Sequence, residues 1–143
     1  MARRPRVSAA LRRRIAARDD ERCAYCRSPR VVGIPMVVEH ILPLVAGGTS
    51  EANNLCLSCY RCNEFKGPRR TAPDPRTGQE VALYHPRQQR WADHFAWDGE
   101  GIVMGGLTPT GRATIALLRL NNDWLLTARR IWRSVDLQPP TEV

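Results

Sequence analysis

Cys23-Ala-Tyr-Cys26 and Cys59-Tyr-Arg-Cys62 are two cysteine pairs with the same spacing, and they frame residues 27–58 of a 143-residue chain. Two intervening residues let both thiolates of a pair reach one metal ion from a tight turn. Two such pairs complete a tetrahedral site, the usual arrangement for structural zinc, and they leave no open position on the ion. The sequence therefore predicts a Zn2+ ion that holds the fold together and takes no part in chemistry.

The fifth cysteine leaves the ligand set open, because Cys56-Leu-Ser-Cys59 has the same spacing. A strand through Leu55 and Leu57 would turn the side chain of Cys56 to the opposite face. We therefore favour Cys59 and Cys62 as the second pair and expect Cys56 to be a small buried side chain. An iron site of the rubredoxin type is a competing interpretation, but it does not explain the polar residues between the pairs.

Those polar residues include Glu39, His40, Asn54 and Asn63. Taken singly, each has an ordinary explanation: a lone histidine beside an apolar run usually belongs to the core, and an asparagine in a glycine-rich loop is usually a turn residue. Together they supply what phosphodiester hydrolysis needs. A neutral imidazole can accept a proton from water near pH 7, and carboxylate and amide oxygens suit Mg2+.

Residues from about Cys23 to Gly67 resemble the HNH endonuclease family, in its version with two CxxC knuckles. Glu39-His40 matches the acidic-histidine pair of the family, Asn54-Leu55 its central pair, and Cys62-Asn63-x-x-Lys66 its final knuckle and helix. The resemblance covers about a third of the chain. It implies a ββα-metal finger that hydrolyses DNA with a divalent cation, Mg2+ or Mn2+.

The resemblance also implies roles for single residues. His40 resembles the general base, Asn54 the residue that ties the loop and orients the histidine, and Glu39 and Asn63 the ligands of the catalytic ion. Asn63 stands where many members have histidine, and Glu39 where aspartate is commoner. Neighbouring residues of a regular strand point to opposite faces, so Glu39 and His40 share a site only if the strand ends or bulges there. Pro43 favours such an ending.

A net charge of +8 and a pI of about 10.1 point to a polyanionic partner, and nucleic acid is the commonest one inside a cell. Lys66, the only lysine, lies three residues beyond Asn63 on the same predicted helix face. We expect it to contact the phosphate backbone, with Arg61, Arg69 and Arg70 on flanking phosphates. The expected partner is double-stranded DNA, with no membrane and no small-molecule substrate. A merely solvated basic surface is the alternative.

The expected architecture is one α+β fold. A zinc site holds together a small ββα-metal finger, and an N-terminal helix and a C-terminal hairpin with two helices join it. The expected caps of the three helices outside the finger are Ser8, Thr108 and Asn122. The expected divisions are a basic N-terminal helix at 1–18, the nuclease core at 19–68, a linker at 69–80, and an extension packing on the core at 81–143. The linker assignment rests on residues 68–78, which contain three prolines and three arginines and show no apolar periodicity.

No apolar run approaches the roughly 18 residues needed to span a bilayer, and no apolar signal core follows the basic residues 1–6. We therefore expect a cytoplasmic protein. Two other functional classes stay open from the sequence: a zinc-bound DNA-binding module without catalysis, and a cysteine-ligated redox or iron protein.

Overall fold

The computed structural model describes residues 7–141, so the basic residues 1–6 of the expected N-terminal region lie outside the described part. The chain divides into two compact units, Met1–Glu64 and Phe65–Val143. Between residues 7 and 141, no helix combines the length and the apolar character that crossing a bilayer would require.

Helices and short antiparallel hairpins make up both units, which confirms the predicted α+β class. The first unit contains α1 (Ala9–Arg18), β1 (Met36–His40), β2 (Leu55–Cys59) and the start of α2 (Tyr60–Lys66). The second contains β3 (Thr71–Pro73), β4 (Glu80–Ala82), α3 (Trp91–His94), β5 (Phe95–Trp97), β6 (Met104–Gly106), α4 (Pro109–Leu118) and α5 (Asp123–Arg133). Short 3-10 helices lie at Arg30–Val32, Leu44–Ala46 and Ala52–Asn54.

Helix α1 begins where the sequence predicts it, because the side chain of Ser8 caps its first turn. Its apolar face carries the buried Ile15 and packs against β1 and β2. At its last residue, the guanidinium of Arg18 donates to the backbone oxygens of Ala52 and Leu55, at 2.6 and 3.0 Å. The helix is therefore fastened to the chain segment that leads into β2.

Strands β1 and β2 form a regular antiparallel pair that runs from Met36 opposite Cys59 to His40 opposite Leu55. Strand β1 covers only part of residues 31–44, although β-branched and apolar residues continue through that stretch. Pro35 and Pro43 lack the N–H that a strand ladder needs, and 3-10 turns form on both sides of the strand. The long connection 41–54 therefore begins directly after His40.

The first cysteine pair is attached to the outer edge of β2. The N–H of Ala24 donates to the carbonyl of Leu57 at 2.8 Å, and the N–H of Leu57 donates to the carboxylate of Asp19 at 2.7 Å. This attachment brings the segment that carries Cys23 beside the strand that ends at Cys59.

In the second unit, the stretch 69–80 predicted as a linker forms β3 and the turn that leads into its antiparallel partner β4. The carboxylate of Asp74 closes its turn by accepting from the N–H of Arg76 at 3.0 Å and the hydroxyl of Thr77 at 3.1 Å. Arg112 adds two hydrogen bonds to the same carboxylate, at 3.0 and 2.9 Å. Polar contacts hold this turn, which explains why apolar periodicity gave no sign of it.

The rest of the second unit follows the predicted order of a hairpin and two helices. Thr108 caps α4 and Asn122 caps α5, as their positions in the sequence predict. The core beside them contains a fully buried arginine, Arg129, whose guanidinium donates to the carbonyls of Ile102 and Leu120 at 3.0 and 2.7 Å.

Candidate active site

Four buried cysteines form one cluster in which all the sulfur atoms lie within 4.8 Å of one another; they are Cys23, Cys26, Cys59 and Cys62. The sulfurs of Cys26 and Cys59 are 3.7 Å apart. A tetrahedral zinc with bonds of about 2.3 Å to sulfur places its ligands about 3.8 Å from one another. The cluster therefore fits a structural Zn2+ ion, and it contains the two pairs favoured from the sequence.

Cys56 lies outside this cluster, on the face of β2 that carries neither Leu55 nor Leu57. Its sulfur is 3.6 Å from a carboxylate oxygen of Glu39 and 3.8 Å from the hydroxyl of Tyr25. Burial, and then the charge of Glu39, raise the pKa of the Cys56 thiol well above its usual value. The thiol therefore stays protonated at neutral pH and acts as a donor.

Glu39 belongs to the same buried group of side chains. It stands opposite Cys56 in the strand pair, whereas His40 stands opposite Leu55. Since the pairing is regular up to His40, Glu39 and His40 point to opposite faces of the hairpin. Glu39 is 6% exposed. The structure therefore does not bring these two neighbours to one face, and the ending expected near Pro43 comes too late to do so.

The imidazole of His40 lies at the last residue of β1 and is half-buried. Its Nε2 atom is 2.9 Å from the hydroxyl oxygen of Ser50. The sequence does not identify Ser50 as a site residue, because it lies among the glycine, asparagine and other polar residues of 46–54 that are typical of a loop. The sequence separation of Ser50 and His40 does not predict their contact, because the path of residues 41–54 decides where the serine side chain lies.

Asn54 ties that connection together with its side-chain amide. The oxygen accepts from the N–H of Leu42 at 2.8 Å, and the nitrogen donates to the carbonyls of Leu42 and Thr49 at 2.9 and 2.8 Å. The backbone of Gly48 lies so close to Leu42 that a Cβ added to this glycine would be 1.8 Å from the carbonyl oxygen of Leu42. The side-chain amide of Asn54 and the absence of a side chain at Gly48 together fix the path of the loop.

The remaining expected site residues differ in their exposure. Asn63 is exposed on α2, Arg61 is half-buried, and Arg69 and Arg70 are exposed. Lys66 is only 2% exposed. This placement does not suit the expected contact with phosphate, because an ammonium buried in the protein cannot reach the backbone of a bound duplex.

Helix α1 carries a further group of arginines on its solvent-facing side. Arg12, Arg13 and Arg14 are all exposed there. Because α1 packs against β1 and β2, these guanidinium groups belong to the same compact unit as His40. Exposed cations of this kind can bind the phosphates of a polyanion.

Residues 23–69 match the family model described as HNH endonuclease. The match spans both cysteine pairs and every residue from which the resemblance was inferred, so the resemblance to that family is confirmed over this region. It supports a nuclease or DNA-binding function and a nucleic acid substrate. A search of curated proteins and a search of solved structures both found no match to the chain.

Proposed function

We propose that this chain is an HNH-type endonuclease that hydrolyses DNA phosphodiester bonds with His40 as its general base. The imidazole accepts a proton from water while the water oxygen bonds to phosphorus. The bond from phosphorus to one sugar oxygen breaks, and that oxygen takes up a proton. The observation that carries the proposal is the position of His40, half-buried at the end of β1 and hydrogen-bonded to Ser50, inside the matched region.

Asn63 is the side chain that we assign to a catalytic divalent ion, Mg2+ or Mn2+. Its amide is exposed, and Mg2+ binds through few protein oxygens while it keeps several waters. When bound, such an ion would stabilise the negative charge that develops on the phosphoryl oxygens. Glu39, the other ligand expected from the resemblance, is buried against Cys56, and we leave it out of the ion site.

The decisive experiment compares His40→Ala with the wild-type chain on double-stranded plasmid DNA, in Mg2+ or Mn2+ and with a chelator control. We expect the substitution to reduce cleavage by about 100-fold or more, while zinc content and circular dichroism stay unchanged. Undiminished cleavage by His40→Ala would refute the assignment.

His85→Asn is the matched control for this experiment. The Nδ1 atom of His85 accepts from the N–H groups of Arg87 and Gln88, at 3.2 and 3.3 Å. An asparagine oxygen can cap the same turn, because asparagine side chains bond to backbone N–H groups two residues along. We therefore expect this histidine to be replaceable without loss of cleavage.

The ion assignment has its own test, the metal concentration that gives half-maximal cleavage. Asn63→Ala should raise that concentration, because it removes the proposed side-chain ligand. Glu39→Gln should leave it unchanged, although the loss of a buried carboxylate can lower stability. If Glu39→Gln raises that metal concentration and Asn63→Ala does not, Glu39 is the ligand and Asn63 is not.

A zinc-bound DNA-binding module without cleavage is the second candidate. One observation favours it: within residues 7–141, the four cysteines are the only group of three or more histidine, cysteine or acidic side chains that could hold a metal. The plasmid assay separates the two functions. Binding of DNA without any metal-dependent cleavage would identify the module, and cleavage that requires His40 would identify the nuclease.

A further inference from the structure

Helix α5 carries a second apolar row beside the side chains that it buries, which are Leu125, Arg129 and Trp132. Trp124 and Ile131 are 47% and 61% exposed, and their spacing along the helix places them on one side of it. Ala128 lies between them, and Val135, just beyond the end of the helix, is 60% exposed. Single exposed apolar side chains are common, but a continuous row of them marks an interaction surface.

Trp124 is held in a fixed orientation within this row. Its ring meets the ring of Trp132 edge to face, with the centroids 6.2 Å apart. Trp132 is 6% exposed, so a buried ring supports the half-exposed one. An aromatic side chain that is already ordered loses little conformational entropy when a partner covers it, and tryptophan is among the residues that contribute most to interfaces. Trp124 is therefore a suitable anchor for a partner.

Two exposed charges of opposite sign accompany the row, Asp123 near the start of α5 and Arg130 near its end. The helical repeat places both on the same flank of the row, the flank away from the buried side chains. When a second α5 packs antiparallel against the row, Asp123 of each copy comes beside Arg130 of the other. The face is therefore complementary in charge to itself.

We propose that this face of α5 binds a second copy of the chain, with the two helices antiparallel. A twofold axis near Ala128 packs Trp124 of each copy beside Ile131 of the other and creates every contact twice. The apolar row supplies most of the affinity, because exposed ion pairs contribute little. The pairs between Asp123 and Arg130 select the antiparallel direction. The inference goes beyond the proposed function and does not depend on cleavage.

The net charge of +8 on each copy opposes association at long range. Salt at physiological strength screens exposed charges over about 8 Å, so the surfaces in contact then decide whether two copies associate. The experiment is therefore run at about 0.3 M salt, where this repulsion is screened further.

Sedimentation equilibrium of the zinc-loaded full chain, without DNA and over about 1 to 300 µM protein, measures the association. We expect the wild type to dimerise. Ile131→Glu should weaken the dimer at least about 100-fold, because a carboxylate would be buried twice against apolar side chains. Leu107→Glu is the matched control, since Leu107 is an apolar side chain of the same unit, 56% exposed and outside α5. It should dimerise like the wild type.

Charge reversal tests the direction of the pairing. Asp123→Arg and Arg130→Asp should each weaken the dimer about fivefold, because each sets like charges beside one another. The double variant should restore the wild-type dissociation constant. The two single variants change the net charge in opposite directions, so an effect of net charge alone would move their dissociation constants in opposite directions. Circular dichroism and the unfolding midpoint check that each variant is folded.

A wild-type chain that stays monomeric at the highest concentration would overturn the proposal. Unchanged dimerisation of Ile131→Glu, or a dimer lost in Leu107→Glu, would also overturn it by placing the contact elsewhere. A double charge variant that stays as weak as the single ones would exclude the antiparallel pairing. None of these measurements involves cleavage, so a failure of the proposed function leaves their outcome unchanged.

Discussion

Asn54 uses both polar atoms of its side-chain amide on a single residue, Leu42, whose N–H and C=O it binds at 2.8 and 2.9 Å. The two residues lie at opposite ends of the connection between β1 and β2. This double hydrogen bond closes the connection in the way that a pair of backbone groups closes a strand ladder. Hydrogen bonds of one buried side chain therefore fix the path of the loop that contains Ser50.

Asn54→Asp tests the importance of this closure. The substitution keeps the shape of the side chain but replaces its NH2 donor by an oxygen that faces the carbonyls of Leu42 and Thr49. We expect the free energy of unfolding to fall by about 3 kcal/mol, because two partly buried carbonyls lose their donor and face a carboxylate oxygen instead. Chemical denaturation followed by circular dichroism measures the change.

Asn53→Asp is the control for that measurement. Asn53 is exposed in the same 3-10 turn, so the substitution adds the same charge at a neighbouring position. We expect it to change stability by less than about 0.5 kcal/mol. Equal losses in the two variants would show that the added charge, and not the closure, is responsible.

Local signals in the sequence predicted much of this fold. Ser8, Thr108 and Asn122 each cap the helix that follows them, because a cap needs only the side chain and the next few N–H groups. The cysteine cluster was predictable for a similar reason, since the spacing within each pair is itself the geometry of a metal site.

Contacts between distant residues were not predictable in this way. Arg112 reaches the carboxylate of Asp74 across 38 positions, and without that contact the turn between β3 and β4 resembles a linker. The contact of Ser50 with His40 depends likewise on the path of residues 41–54. The sequence alone does not show whether β1 is regular at Glu39 and His40. The regular pairing with β2 places these two side chains on opposite faces.

Zinc content should distinguish the ligand cysteines from Cys56. Cys62→Ser removes one of the four clustered thiols, and we expect the purified protein to lose stoichiometric zinc and to unfold more readily. Cys56→Ala removes a buried thiol outside the cluster, and we expect one zinc per chain to remain. Elemental analysis of both proteins measures this. Loss of zinc in Cys56→Ala together with its retention in Cys62→Ser would show that Cys56 is the ligand.

The salt dependence of DNA binding should report the arginines of α1. Each phosphate contact that is lost reduces the slope of log K against log salt by about 0.9, so Arg13→Ala with Arg14→Ala should reduce it by about 2. Arg130→Ala with Arg133→Ala removes the same charge from exposed positions of α5 and should change the slope little. Fluorescence anisotropy of a labelled duplex over a salt series measures both.

A larger reduction of the salt slope in the α5 double variant than in the α1 double variant would place the DNA on α5. Equal reductions of the slope in the two double variants would mean that net charge alone attracts the duplex. Neither result would alter the assignment of His40, because binding of flanking phosphates and proton transfer depend on different side chains.

Asp74 should make the second unit less stable in acid. The hydrogen bonds from Arg112, ahead of other contributions, hold the pKa of its carboxyl well below the ordinary value. A group whose pKa is lower in the folded state stabilises the fold above its unfolded pKa, about 3.9 for aspartate, and loses that contribution as the pH falls further. The stability gap between wild type and Asp74→Asn should therefore be widest near neutral pH and narrow below about pH 4.

Tryptophan fluorescence during urea unfolding can follow this gap, because all four tryptophans lie in the unit that contains Asp74. Both proteins keep the same four cysteines, so proton-driven loss of zinc affects them alike and cancels in the difference. Asp93→Asn, at an exposed position of α3, controls for the change in net charge. A gap that stays constant from pH 7 to pH 3 would mean that the carboxylate of Asp74 contributes through its shape and not through its ion pair with Arg112.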